Sequence, residues 1–396
     1  MDEHARQTPD DAGATALLGR IDRPGPKKML CIDGGGIRGH IAIELIAGIE
    51  DVLRGRSSRP DAFVLADYFD FFSGTSTGAI IAAALATGMR ASDVRALYDA
   101  HGEAMFTRNP WYRRLGAKYS ERRLAEVLKE IFGEHTTLGD PLLKTLLMVV
   151  ARNANTGSPW PLTNNPRAMF NLRVNEDGTP NEMCNLDIPL WMLIRASTAA
   201  PGYFRPETIS LGGRDFSFVD GGLTPYNNPS FQTFLTATHP AYRVNWKTGA
   251  KNLLLVSVGT GSKACEIDSR RVNRMNLLDH AREVPAALLQ AIKEQQDMLC
   301  RVFGDCLFGD PIDLELGSLN SGEPSLENVS KLFTYCRLDV ELSAKSLQRL
   351  GLPGLDVNRL CQLDSIRHVA ELKRIGERVR QADVAPRLFE DFPVED

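Results

Sequence analysis

The chain has 396 residues, of which 43% are hydrophobic and 24% are charged, and its formal net charge is −4. This length and apolar content are typical of one large α/β domain or two modest ones, and the small net charge weighs against binding to DNA or RNA. The seven cysteines are scattered and never spaced as CxxC, which weighs against a disulfide framework or a structural zinc site and favours a reducing cytoplasm.

In chain order, the sequence predicts a flexible lead-in followed by alternating strands and helices. Residues 1–26 are polar, contain Pro and Gly, and lack the apolar core of a secretory signal. Two short apolar segments, Lys28–Ile32 and Tyr68–Phe72, are predicted to be strands. A helix is predicted after each strand, at Ile41–Leu53 and Ala79–Ala86. The second of these helices is apolar nearly all round and far too short to span a membrane.

Two later segments, Thr145–Ala151 and Asn252–Val258, are continuously apolar. Strands of this kind are buried on both faces, so they imply a mostly parallel central sheet flanked by helices. The remaining predicted elements are helices at Pro189–Ala200, Asn276–Val302 and 356–383 and a strand at 330–340. We therefore predict an α/β core at 27–262 and a mainly helical C-terminal extension at 263–396 that packs on it.

The strongest local signal is the turn from Gly74 to Gly78, with the sequence G-T-S-T-G, between a predicted strand and a predicted helix. Ser76 at its centre would stand clear of the backbone in strained φ/ψ space, and the flanking glycines would let strand and helix approach closely. The helix N-terminus would direct N–H groups toward negative charge at the reacting atom. This context predicts a nucleophilic serine.

A second signal is the run from Asp33 to Gly39, with the sequence D-G-G-G-I-R-G. Glycines at a strand end let backbone N–H groups converge on an anion, which in acyl transfer is the tetrahedral oxyanion. Arg38 stands where the helix dipole disfavours a cation, which indicates negative charge nearby. The alternative for Arg38 is a surface ion pair with Glu44 or Asp51.

The same run also fits G-x-G-x-x-G at Gly34, Gly36 and Gly39, so a nucleotide-binding protein that uses Gly34–Gly39 is a rival hypothesis. A dinucleotide fold needs an acidic residue at the end of the next strand, whereas Asp70 lies inside the predicted strand. The rival hypothesis also leaves the serine turn unexplained.

A third signal is Asp220, which lies at the end of a predicted strand and is followed by Gly221 and Gly222. From this position its carboxylate would reach across the top of the sheet and accept the proton of a serine hydroxyl. The alternative is an Asx-type turn in which Asp220 bonds its own backbone.

In this order, G-G-G-x-R-G, G-T-S-T-G and D-G-G resemble the motifs of patatin-like phospholipases. Ala196–Phe204 is also similar to the stretch that precedes the catalytic aspartate of that family. The resemblance covers roughly residues 27–262. It implies a three-layer α/β fold, and hydrolysis of fatty-acyl esters by a Ser–Asp dyad that uses no histidine, cofactor or metal.

At the matching positions, the resemblance implies that Ser76 is the nucleophile and Asp220 the base. The oxyanion hole would be formed by Gly34, Gly35, Gly36 and Arg38. The supporting turns would be formed by Gly74, Gly78, Gly221 and Gly222.

The chain length, the D-G-G-G-I-R-G form and the C-terminal extension are also similar to the cyclic-nucleotide-activated patatin-like phospholipases of antiphage defence. This resemblance implies a cytoplasmic enzyme that acts peripherally on phospholipids of the inner membrane and is activated by a cyclic dinucleotide. The sequence leaves open the lipid headgroup, the ester position and the oligomeric state, for which a homodimer is one option.

Two further hypotheses stay open at the level of the sequence. A Ser–His–Asp esterase would use His239 or His280, which both follow Asp220 in the chain. However, His239 is typical of a helix-end cap and His280 lies in a predicted helix. A non-catalytic lipid-binding or scaffold protein is disfavoured because Ser76 and Asp220 are both intact.

The stretch from Arg108 to Tyr119 mixes basic and aromatic residues and contains no acidic residue. This composition is typical either of a segment that meets anionic headgroups or a nucleotide, or of a solvated loop.

Overall fold

The computed structural model describes residues 9–105, 109, 117–175, 177–263, 277–313, 315–322 and 330–395. Its strands are β1 (Lys27–Ile32), β2 (Phe71–Thr75), β3 (Leu146–Asn153), β4 (Pro159–Thr163), β5 (Glu207–Leu211), β6 (Arg214–Asp220), β7 (Leu253–Val258), β8 (Ser262–Lys263), β9 (Gly304–Phe308), β10 (Phe333–Leu338) and β11 (Glu341–Leu342). Its α-helices are α1 (Pro9–Asp22), α2 (Gly39–Arg54), α3 (Leu65–Tyr68), α4 (Thr77–Ala86), α5 (Ala91–Met105), α6 (Glu121–Phe132), α7 (Leu190–Ser197), α8 (Ser230–Thr238), α9 (Leu277–Phe303), α10 (Ala344–Arg349), α11 (Val357–Leu360) and α12 (Val369–Asp383).

A nine-stranded sheet forms the centre of the molecule, in the order β5-β6-β3-β2-β1-β7-β10-β9, with β4 also paired to β3. The pairs from β3 through β2, β1, β7 and β10 to β9 are parallel. Strands β4 and β6 run antiparallel to β3, and β5 runs antiparallel to β6. The predicted mostly parallel sheet is therefore confirmed, with antiparallel strands added at one end.

Strand β1 shows why the apolar runs are continuous. Leu30 and Ile32 belong to the core on one face of the sheet, where α2, α4, α6, α7 and α12 pack. Met29 and Cys31 belong to a second core on the opposite face, with Phe234 of α8. Because helices cover both faces, successive residues of a central strand are all buried, and the three-layer architecture follows.

The expectation of a flexible lead-in does not hold for residues 9–22, which form helix α1. Leu17 and Ile21 lie four residues apart, on one side of this helix, and both are buried in the second core. The Trp246 Nε1–H donates a hydrogen bond of 2.9 Å to the Ile21 carbonyl. Apolar burial and hydrogen bonding thus attach the helix to the rest of the protein.

The C-terminal part is less separate from the core than the sequence indicates. Strands β9 and β10 extend the central sheet through the pairing of β10 with β7, so the sheet does not end at residue 262. The long predicted helix is confirmed as α9. The predicted helix at 356–383 is instead divided into α11 and α12, because the chain between them leaves the helical path and its Leu363 carbonyl accepts the Ile37 N–H at 2.9 Å.

Helix α4 is buried along its whole length, as its composition predicts. Within the part of the chain that is described, no helix combines the length and apolar character needed to cross a bilayer.

Candidate active site

Three loops and one strand end meet at the carboxyl edge of the parallel strands. The glycine run follows β1, Ser76 follows β2, the turn Gly259–Gly261 follows β7, and Asp220 is the last residue of β6. Open α/β sheets place their ligand sites at this edge because neighbouring loops converge there. The fold thus brings together residues that are far apart in the chain.

Ser76 occupies a sharp turn between β2 and α4, with φ 54° and ψ −123°. A left-handed backbone of this kind is strained for a residue with a side chain. The turn depends on glycine on both sides. A Cβ atom on Gly74 would lie 2.1 Å from the Gly78 carbonyl oxygen, and one on Gly78 would lie 2.3 Å from the Ile32 carbonyl oxygen. The strained serine and the close strand–helix approach agree with the prediction from G-T-S-T-G.

The Ser76 hydroxyl donates a hydrogen bond of 2.7 Å from its Oγ to Oδ2 of Asp220. The other carboxylate oxygen of Asp220, Oδ1, accepts the Gly222 N–H at 2.7 Å, so the Asx-type turn and the contact with the serine coexist. Asp220 is only 7% exposed. Burial raises the pKa of Asp220 to about 6, although the hydrogen bonds from Gly222 and Ser76 oppose that rise.

Ser197 holds the backbone of the serine turn, a role that the sequence did not reveal. Its Oγ accepts the Ser76 N–H at 2.9 Å and donates to the Val150 carbonyl at 2.6 Å. Ser197 is fully buried at the end of α7. It lies within the stretch Ala196–Phe204 that resembles the family, but nothing in the local pattern marks its hydroxyl as the partner of Ser76.

The glycine run offers fewer free amides than expected. The Gly34 N–H donates to the Asn227 carbonyl at 3.0 Å, so this amide is not available to an oxyanion. Among the described residues, no acceptor is bonded to the N–H groups of Gly35 and Gly36. Gly36 has φ 59° and a Cβ there would lie 2.3 Å from the Leu363 carbonyl oxygen, which explains why glycine is needed. Two amides remain to stabilise negative charge.

Arg38 is hydrogen-bonded to the glycine run and does not form the alternative ion pair with Glu44 or Asp51. Its Nη1 donates to the Gly261 carbonyl at 3.0 Å and its Nε donates to the Gly35 carbonyl at 3.3 Å. Glu44 is paired with Arg95, and Asp51 with Arg54 and Arg380. Burial lowers the pKa of Arg38.

Gly221 and Gly222 permit the tight exit of the chain after Asp220. A Cβ on Gly221 would lie 2.1 Å from the Val150 carbonyl oxygen. On Gly222 it would lie 3.0 Å from Oδ1 of Asp220 and 3.1 Å from Oδ1 of Asn227. The D-G-G motif is therefore explained by the close packing of this turn against β3 and the Asn227 side chain.

A cavity of about 530 Å³ opens beside the Ser76–Asp220 pair and the glycine run. Most of its wall is apolar, and its side chains include Ile37, Ile80, Met105, Leu124, Phe204 and Leu363. An apolar wall of this kind suits a long apolar chain, and Ser76 in the same wall would meet a polar reacting group.

The site geometry does not favour the histidine alternative at His239. This residue is exposed and forms the predicted helix-end cap, because its N–H donates to the Leu235 carbonyl at 2.8 Å at the end of α8. Its Nδ1 accepts the Ala241 N–H at 3.2 Å at the start of the short helical turn that follows. The Ser76 hydroxyl is directed at Asp220 instead. The side chain of His280 lies outside the described residues.

The dinucleotide alternative fails at Asp70. This residue precedes β2 and so lies at the edge of the sheet opposite the glycine run. It is buried, accepts the Lys28 N–H at 3.0 Å, and pairs with Arg20 and Arg23. Asp70 therefore cannot hold a ribose at the carboxyl edge.

Most of the basic and aromatic stretch, including Trp111, Tyr112, Arg113 and Arg114, lies outside the described residues. Of its members that are described, Lys118 forms an ion pair with Asp364, and Tyr119 donates its hydroxyl to the same carboxylate. These two side chains thus attach the loop after α11 to the body of the molecule.

Comparison with known proteins identifies relatives of this chain. A family model described as Patatin-like phospholipase matches residues 30–233. Patatin-17 from Solanum cardiophyllum is 31% identical over 251 residues, which are 59% of this chain and 60% of that protein. A cGAMP-activated phospholipase from Vibrio cholerae is 32% identical over 216 residues, 52% of this chain and 56% of the relative. The 85/88 kDa calcium-independent phospholipase A2 from Mus musculus is 30% identical over 248 residues, 59% of this chain but 27% of the relative. The chain therefore spans less than two thirds of each of these relatives.

The strained backbone of Ser76 predicts a gain in stability when the side chain is removed entirely. Ser76→Gly should be about 1 kcal/mol more stable than Ser76→Ala, because glycine adopts φ 54° without steric cost and this outweighs its larger unfolded-state entropy. Urea denaturation of both variants would measure the difference. An alanine variant as stable as the glycine variant would contradict the presence of strain.

Proposed function

Because this chain belongs to the patatin-like phospholipase family, we propose that it is a serine acyl hydrolase that cleaves fatty-acyl esters of membrane phospholipids. Ser76 is the nucleophile and Asp220 the base of this proposal. The observation that carries it is the direct 2.7 Å hydrogen bond from the Ser76 hydroxyl to the Asp220 carboxylate. A base must lie within hydrogen-bond reach of the proton that it removes, and Asp220 does.

The proposed reaction has two stages. Ser76 Oγ attacks the ester carbonyl while Asp220 Oδ2 takes the hydroxyl proton, and the Gly35 and Gly36 amides stabilise the resulting oxyanion. The intermediate collapses to an acyl-serine, and the lysolipid oxygen leaves with the proton from Asp220. In the second stage Asp220 removes a proton from water, whose oxygen attacks the acyl-serine. The fatty acid is released and Ser76 recovers its proton.

The environment of Asp220 suits it to act without histidine. A carboxylate of ordinary pKa is a weak base at neutral pH, but burial raises the pKa of Asp220 to about 6, closer to the pH at which a base is most effective. The apolar cavity beside it would receive the acyl chain and exclude water from the reacting ester. We place the enzyme at the cytoplasmic surface of the inner membrane, where its substrate is presented.

Replacing either partner should abolish lipid hydrolysis. Ser76→Ala should lower kcat by roughly 10⁴-fold because the nucleophile is lost, and Asp220→Asn by roughly 10³-fold because the amide cannot accept the proton. Lipid mass spectrometry of phospholipid vesicles, with fatty acid and lysolipid counted, would measure the loss. Ser92→Ala and Asp215→Asn, both at exposed positions, serve as matched controls. A folded Ser76→Ala protein that releases fatty acid at the parent rate would overturn the proposal.

The pKa of Asp220 predicts the pH dependence of the reaction. Only the ionised carboxylate accepts a proton, so kcat/KM for a soluble ester should rise with pH through an apparent pKa of about 6 and then level off. A stopped assay from pH 4.5 to 8.5 would record this rise, the acidic limb of the pH profile. His239→Ala and His280→Ala should leave it unchanged. Loss of the limb in either histidine variant would point to a triad instead.

We also propose that a cyclic dinucleotide activates the enzyme in an antiviral role. The support is similarity to proteins named cGAMP-activated phospholipase from Vibrio cholerae and Escherichia coli, at 32% and 30% identity. Titration of cGAMP and other cyclic dinucleotides into the vesicle assay should raise the rate at least about 10-fold for one of them. Equal activity with and without every nucleotide would reject the activator while leaving the hydrolase proposal intact.

A further inference from the structure

A largely buried cluster of four charged side chains lies beneath the glycine run. Asp33, the residue before Gly34, is fully buried and accepts two hydrogen bonds, of 3.0 and 2.7 Å, from the Arg337 guanidinium. Arg337 also donates to Asp339 at 2.7 Å. The Lys293 Nζ lies 3.1 Å from Oδ2 of Asp33 and 3.8 Å from Oδ2 of Asp339. These contacts join α9 and β10 to the end of β1.

The cluster is continuous with the backbone of the candidate oxyanion hole. Asp339 Oδ1 accepts the Gly261 N–H at 2.9 Å, and the Gly261 carbonyl accepts the Arg38 guanidinium at 3.0 Å. The Thr260 hydroxyl donates to the Gly34 carbonyl at 2.8 Å. A chain of hydrogen bonds thus connects the glycine run, through the turn after β7, to Asp339 of the cluster.

The charges in the cluster balance only when Lys293 is counted. Asp33 and Asp339 are two carboxylates, and among the described residues Arg337 and Lys293 are the two cations within ion-pair distance of them. Arg38 also interacts electrostatically with both carboxylates, but it forms no ion pair with either. Although burial alone would raise the pKa of Asp339, Lys293 and Arg337 hold it below its ordinary value. Without Lys293, the two carboxylates would share one ion-pair partner, Arg337, and negative charge would remain below the amides that stabilise the oxyanion in the proposed reaction.

Lys293 also lies in the wall of the cavity. It is 5% exposed, and its Nζ is held by the ion pairs with Asp33 and Asp339, without a further hydrogen bond to any residue that the structure describes. Burying an ammonium group in this way costs free energy unless a nearby negative charge compensates it. Arg301, on the same helix, contrasts with it, since Arg301 is bonded to Asp297, Asp310 and Ser318 away from the glycine run.

We propose that Lys293 is a positioning residue of the hydrolysis. Its charge neutralises the Asp33–Asp339 pair, which keeps the Gly35 and Gly36 N–H groups in position and prevents negative charge below them from opposing the oxyanion. This inference rests on the proposed function. It assigns a role in the reaction to a residue of α9, which lies beyond the 30–233 segment that matches the family model.

The test is kinetic, with Lys293→Met as the variant that keeps the side-chain length and removes the charge. Its kcat on a water-soluble butyrate ester should fall by roughly 10- to 100-fold with KM unchanged, because the charge acts on the transition state. The inhibition constant of an alkyl trifluoromethyl ketone should rise by a similar factor. Ser76 adds to the carbonyl of this inhibitor and places a negative oxygen against the same amides.

A fluorophosphonate that labels Ser76 counts the active sites in each preparation. This count distinguishes a variant that has lost folded protein from one that has lost catalytic activity. All kcat values are expressed per labelled site. Arg301→Met is the matched control, since it also breaks a buried ion pair on α9. It should lower the melting temperature while retaining the parent kcat per site. Lys293→Arg should recover at least about half of the parent kcat, because the charge is restored.

Three outcomes would overturn the inference: a parent-like kcat per site in Lys293→Met, an equal loss per site in Arg301→Met, or a rise in KM with kcat unchanged. The last would indicate a substrate-binding group instead. These results differ from failure of the proposed function, in which the parent protein itself would neither cleave the ester nor react with the fluorophosphonate.

Discussion

The direct contact between the Ser76 hydroxyl and the Asp220 carboxylate is the constraint that the rest of the site satisfies. The two residues are 144 positions apart in the chain, and the strands that carry them, β2 and β6, are separated in the sheet by β3. Their side chains meet because the turns that carry Ser76 and Asp220 both pack closely against β3. Gly221 lies against the Val150 carbonyl, and Ser197 links the same carbonyl to the Ser76 amide.

This arrangement has a cost in stability that the core must offset. Ser76 is held at φ 54°, and the Asp220 carboxylate is buried, with its pKa raised to about 6. A carboxyl group whose folded-state pKa is raised favours the folded state when protonated. Its contribution to stability is therefore lost as pH rises from about 4 to about 6. The raised pKa that suits Asp220 to its proposed role as base at neutral pH also destabilises the fold there.

The C-terminal part of the chain contributes to the site and not only to the periphery. The loop after α11 covers the glycine run through the Leu363 carbonyl and is attached to the body by Asp364. Strand β10 extends the sheet and carries Arg337, which neutralises Asp33 at the base of that run. Since these elements lie beyond the segment that matches the family model, the shared core and the residues that follow it form one structural unit around the site.

Local sequence determined the parts of this protein that depend on neighbours in the chain. The strand–turn–helix around Ser76, the Asx-type turn at Asp220, the buried strands and the long helix α9 were predictable, because small residues and apolar periodicity act over a few positions. Tertiary structure decided the rest. It decided that the Gly34 amide is used by Asn227, that Ser197 supports Ser76, that helix α1 docks on the sheet, and that Lys293 and Arg337 face Asp33. Such contacts join residues up to 304 positions apart, and hydrogen bonding or charge pairing over that separation leaves no periodic trace in the sequence.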